Sequence, residues 1–113
     1  MADFILQQKI KRMILKSSQR LRSFPKYERY VLAADIRESM YKILRLTIQG
    51  NTTKQSKRPF QREMDAEIDV LRVYVDIAAA KENRYISIAV YEEWANELNE
   101  IGRLLGKWIQ TTK

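Results

Sequence analysis

Glu92, Glu93, Glu97 and Glu100 are the side chains of this chain best spaced for paired acid–base work. Such work needs two carboxyls whose environments push their pKa values apart. Here the acids come early in an apparent helix and Arg103 and Lys107 come late. A helix dipole favours that order without any catalysis, so a solvated helix face is expected. The chain has no His, which removes the commonest general base and the commonest metal ligand. The Glu-x-x-His pairs of di-iron helical bundles are therefore impossible. It has no Cys either, which excludes disulfides, zinc–thiolate sites and thiol nucleophiles. The glycines, Gly50, Gly102 and Gly106, match neither phosphate-loop nor dinucleotide patterns. No catalytic residue, metal or cofactor is expected, and binding is the chemistry left.

Binding is suggested by cations. The net charge is +7. Residues 1–62 hold 15 basic against 4 acidic residues, a net +11, whereas residues 63–113 hold 6 against 10, a net −4. So uneven a split predicts one positive surface, which attracts polyanions at a distance. Three groups of cations stand out: Lys9, Arg12, Lys16, Arg20 and Arg22; then Lys42 and Arg45; then Lys54, Lys57, Arg58 and Arg62. A row of cations along a helix can track a phosphate backbone, supplying affinity with little sequence specificity. An acidic protein is the other partner such a surface fits. Tyr27, Tyr30 and Tyr41 could stack on bases, but buried or half-buried packing is expected of them. No helix-turn-helix, zinc-finger or RRM signature is present.

Four helices must position these residues. Leu6, Ile10, Met13, Ile14 and Leu21 share one face of a helix from about Asp3, a potential cap, to Arg22. Lys9, Arg12, Lys16 and Arg20 make an adjacent outer stripe. Pro25 suits the first turn of a second helix, with Leu32, Ile36, Met40, Ile43 and Leu46 or Thr47 as its core stripe. Glu38 and Lys42 are expected to pair outside, and Gly50 to end the helix in a left-handed conformation. The loop 50–58 has no apolar residue. Pro59 opens a third helix with Phe60, Met64, Ile68, Leu71, Val75 and Ala78 inward, and with Asp65, Asp69, Arg72 and Asp76 outward. Its acids favour the first helix as a neighbour. Ser87 caps the fourth, where Tyr91, Trp94, Leu98, Ile101, Leu105 and Trp108 repeat at alternating steps of three and four, the seam of a left-handed bundle.

Short connections make this an all-α, antiparallel up-down-up-down four-helix bundle, and 113 residues suit a single domain over 1–113. A polar, basic start and the lack of an ~18-residue apolar run argue for a cytoplasmic protein with no membrane contact. Gly102 and Gly106 stand four apart on one helix face, where each costs about 1 kcal/mol relative to Ala. They allow close approach of another backbone, within the bundle or between subunits, or simply local packing around Leu105 and Trp108.

The stretch Phe24-Pro25-Lys26-Tyr27-Glu28-Arg29, with Leu32 and Ile36-Arg37, resembles the start of helix two in a group of small four-helix-bundle proteins. That group includes proteins encoded by intervening sequences in bacterial large-subunit ribosomal RNA genes. It also includes Avd, the accessory variability determinant of diversity-generating retroelements. The C-terminal half, with Val70-Leu71-Arg72-Val73-Tyr74 and Gly102-Arg103-Leu104-Leu105-Gly106-Lys107-Trp108-Ile109, is more similar to Avd. The resemblance covers nearly the whole chain. It implies a barrel-shaped homopentamer that binds nucleic acid, associates with a reverse transcriptase and its template RNA, and supports mutagenic cDNA synthesis without a catalytic site of its own. Gly102 and Gly106 would sit where helices approach closely. The resemblance assigns no individual RNA- or polymerase-contacting residue; the cationic set rests on spacing alone. Two other functions fit the same residues: a ribosomal-RNA intervening-sequence protein that binds RNA without a polymerase, and a structural oligomerisation module binding an acidic protein.

Overall fold

The computed structural model describes residues 2–112, with side chains from residue 4 onward. The expected cap at Asp3 lies outside the described side chains. The apolar periodicity becomes four helices: α1 (Ala2–Arg22), α2 (Leu32–Thr52), α3 (Arg58–Ala79) and α4 (Ile88–Thr111). Each helix packs on its two neighbours in the ring α1–α2–α3–α4–α1, and the diagonal pair α2 and α4 meets through side chains where Trp108 reaches Gly50. Cross-helix pairs fix the antiparallel sense: Lys9 meets Glu100 while Arg20 meets Glu93, and Gln61 meets Thr112 while Tyr91 meets Asp76. The bundle measures 44 × 24 × 20 Å. No helix among the described residues is long and apolar enough to cross a membrane.

One seam per helix fills the core. Leu6, Ile10, Met13, Ser17 and Arg20 on α1 are buried, as are Ile36, Met40, Ile43, Thr47 and Gly50 on α2. Gln61, Met64, Ile68, Leu71, Val75 and Ala78 on α3, and Trp94, Leu98, Ile101, Leu105 and Trp108 on α4, complete it. Every one of these series alternates steps of three and four, the period that keeps a straight seam against neighbours crossing at about 20°.

Four local expectations fail. Pro25 does not open α2; it precedes a single 3-10 turn, Lys26–Glu28, and α2 starts at Leu32. The chain turns here so that Phe24 can bury against the Tyr85 ring, 5.4 Å between centroids, while the Ser23 hydroxyl donates to the Tyr85 carbonyl at 2.7 Å. Gly50 does not end α2, which continues to Thr52, and no glycine has a positive φ. A Cβ on Gly50 would lie 2.8 Å from the Trp108 ring and 3.3 Å from Phe60, so this glycine admits a tryptophan. Lys42 pairs with Glu67 at 3.4 Å, and Glu38 with Arg45 at 3.1 Å, instead of with each other. Finally, α1 lies diagonal to the acidic α3; its acidic neighbour is α4.

Gly102 and Gly106 differ. A Cβ on Gly102 would come 3.0 Å from the Arg72 guanidinium, which donates to the Asn99 side chain at 2.6 Å and the Leu98 carbonyl at 3.3 Å. Gly106 has nothing within 4 Å. Gly50→Ala is expected to lower stability by about 1–2 kcal/mol, because overpacking costs more than the helix propensity it gains. Gly106→Ala should raise stability by about 1 kcal/mol. Paired thermal melts check this; equal shifts for the two variants would contradict the different surroundings of the two glycines.

Candidate nucleic-acid interface

The cations of α1 divide into two flanks, and the structure gives the flanks opposite fates. Lys9, Lys16 and Arg20 turn toward α4, where its acids wait. Lys9 pairs with Glu100 at 3.2 Å and Lys16 with Glu97 at 3.7 Å. Arg20 is only 7 % exposed. Its two terminal nitrogens fork onto both Glu97 oxygens at 2.7 Å each, one also bonds Glu93, and the guanidinium lies 5.1 Å from the Trp94 ring centroid. Burial lowers the Arg20 pKa, but the hydrogen bonds to Glu97 and then Glu93 outweigh it and hold the pKa above its ordinary value. Glu93 is held below the ordinary carboxylate range by its bond to Arg20 and by that charge. So Glu93, Glu97 and Glu100 are the other half of an ionic seam, not a purely solvated face. Arg20 itself is a packing residue, not part of an outer stripe. Arg12, on the same side, is exposed and has no ion pair among the described residues.

The other flank of α1 faces α2. There Ser18, Leu21 and Arg22 of α1 meet Arg29, Tyr30, Ala33 and Arg37 in a shallow groove of about 520 Å³. Leu21 and Ala33 are buried and form its floor. Arg22, Arg29 and Arg37 are exposed, no carboxylate lines the groove, and none of the three has an ion pair among the described residues. Tyr30 is 90 % exposed beside them. The surface continues along both helices, by steps of four and seven on α1 and by a step of four on α2. Arg22, Ser18 and Lys11 run down α1, while Arg37 and Tyr41 lie on α2 and Tyr30 in the turn before it. Tyr27 and Tyr41, expected to be buried or half-buried, are 73 % and 41 % exposed.

Of the remaining expected cations, Lys42 and Arg45 are engaged with Glu67 and Glu38. Lys57 donates to the Gly50 carbonyl at 2.9 Å and the Asn51 carbonyl at 3.4 Å. It thus serves the orphan acceptors at the end of α2. Lys54, Arg58 and Arg62 are exposed at the opposite end of the bundle from the groove, without ion pairs among the described residues. Of the groove arginines, the grouping of cations by spacing contains only Arg22. Arg29 and Arg37 escape it, although the four-residue spacing of Arg37 and Tyr41 puts them on one face of α2. No group of three or more acidic residues converges as a metal site among the described residues, and no catalytic constellation is present there.

A four-helix bundle without a catalytic constellation, basic on one flank and matched along residues 4–112 by the bAvd-like family model, leaves little choice of family. The chain belongs to the bAvd-like family. No curated protein and no solved structure matches it. Membership in the bAvd-like family supports an Avd-type accessory role, and agrees with the family that the residues of helix two and the C-terminal half resemble.

Proposed function

We propose that this chain is the non-catalytic accessory subunit of a diversity-generating retroelement. It binds template RNA or its cDNA along the α1–α2 flank and holds it for a reverse transcriptase, which performs the mutagenic synthesis. The observation that carries this reading is the acid-free groove of Arg22, Arg29 and Arg37. Three guanidiniums with no carboxylate partner among the described residues keep their full attraction for phosphate, whereas the α1–α4 flank is largely neutralised by its own acids. The exposed apolar row Val70, Val73 and Ile77 on the outside of α3 suits a contact between subunits, as a homopentamer requires. Copies of the groove in a ring would act together, since each further contact is made at high effective concentration. The family match favours this reading over an intervening-sequence protein.

The test is binding of the purified protein to RNA across a salt series, with its solution mass recorded. Affinity is expected to fall linearly in log–log form, with a slope of about −0.7 per phosphate neutralised on a single strand. Absence of binding at low salt would assign the groove to another partner, and a monomeric mass would remove the ring.

A further inference from the structure

We infer that the α1–α2 groove selects single-stranded nucleic acid, seating unpaired bases on Tyr30 and Tyr41 while Arg22, Arg29 and Arg37 hold the phosphates between them. The inference rests on the nucleic-acid reading above and narrows its substrate class.

The argument begins with Tyr30. A tyrosine that is 90 % exposed contributes almost nothing to the core, yet this one stands at the rim of a groove lined by three arginines. Tyr41 presents a second ring on α2, one turn beyond Arg37, while Tyr30 stands in the turn that leads into the helix. At the ordinary helical rise Tyr41 stands about 14 Å along the axis from Leu32, where α2 begins just after Tyr30, a span for several nucleotides. An aromatic ring stacks on any base whose face is free, and such stacking is tolerant of sequence. In a duplex those faces are already covered by neighbouring bases, so the rings would find no partner.

The shape agrees. The groove is a valley between two packed helices, whose axes lie about 8–10 Å apart, and its floor of Leu21 and Ala33 is apolar. One strand can lie in such a valley with bases down and phosphates at the arginine rim; a paired helix can only rest across it. Charge keeps the strand there. On the far side of α1, Glu93, Glu97 and Glu100 line the seam with α4, so a strand leaving the groove in that direction meets carboxylates.

The experiment compares two probes at one salt concentration: an oligouridylate of about 16 nucleotides, near the upper end of single-strand site sizes, and a hairpin duplex with the same number of phosphates. The single strand is expected to bind at least about tenfold more tightly. Tyr30→Ala should cost the single strand about tenfold and leave the duplex unchanged, while Tyr30→Phe, which keeps the ring, binds as the parent does. Tyr41→Ala repeats the test at the second ring. A melt on each variant confirms the fold, which so exposed a side chain as Tyr30 does not support. Equal affinity for the two probes, or an unchanged single-strand affinity in Tyr30→Ala, overturns the inference and leaves the nucleic-acid reading standing. If neither probe binds at low salt, both fall together.

Discussion

Arg20→Ala is expected to destabilise the bundle by about 2–3 kcal/mol, even though the same position looks like an exposed cation in the sequence. Removing one partner of a fully buried ion pair typically costs ~3–5 kcal/mol, because the other charge is left buried and unpaired. The lower figure applies here because the Glu97 side chain keeps 19 % of its surface in solvent and Lys16 remains nearby at 3.7 Å. In a chain of this size the loss corresponds to a fall in Tm on the order of 10–15 °C. The pH dependence has a definite sign. Glu93 is lowered in the fold by Arg20, so its contribution is full above the ordinary carboxylate pKa and is lost as pH falls through the lowered value. The gap between parent and variant should therefore narrow in acid. A melt of Arg20→Ala within 1–2 °C of the parent at neutral pH, where ~1 kcal/mol would already shift it further, would show that the seam contributes little. Reversing Arg12, Lys16 and Arg20 together, three cations of the stripe expected to track a phosphate backbone, would mainly destabilise the fold.

The groove predicts the opposite behaviour. Arg22→Glu, Arg29→Glu and Arg37→Glu combined should leave the melt nearly unchanged, because all three are exposed and without ion pairs among the described residues. Nucleic-acid affinity should fall by at least about a hundredfold at moderate salt, and the salt slope should flatten by about 2, for three phosphate contacts at ~0.7 each. The informative companion is Lys54→Glu, Arg58→Glu and Arg62→Glu at the other end of the bundle. If that variant, and not the groove variant, loses binding, the interface lies on the α2–α3 connection and the groove assignment is wrong.

Much of this molecule is legible in its sequence for a physical reason: burial writes a period into the chain. Met64, Ile68, Leu71 and Val75, or Trp94, Leu98, Ile101 and Leu105, can face a common core in only one conformation. Ser87 acts as the expected cap of α4, accepting from the Val90 amide at 3.2 Å. The features that periodicity misplaces depend on residues far away in sequence. Gly50 follows a helical run as a terminating glycine would, and only the Trp108 ring gives its real reason. Arg20 shares the four-residue spacing of Lys16, which groups it with the outer stripe. Yet it also continues the series Leu6, Ile10, Met13, Ser17 in strict steps of four and three, and that series is the one burial obeys. The groove stays hidden because Arg22 belongs to one helix and Arg29, Tyr30 and Arg37 to the approach and first turns of the next. A charge count along the chain cannot tell which cations find acids across a seam and which do not.

The partners of the buried arginine come from opposite ends of the chain: 77 residues separate Arg20 from Glu97, and 73 separate it from Glu93. The seam between α1 and α4 can close only after the intervening helices have found their places, since closing so long a loop is unfavourable until local contacts exist. Its ionic rungs are then expected to form late in folding, after the transition state. Interactions of that kind act on the lifetime of the native state: the latch formed by Arg20 governs how fast the bundle opens, and has little say in how fast it assembles.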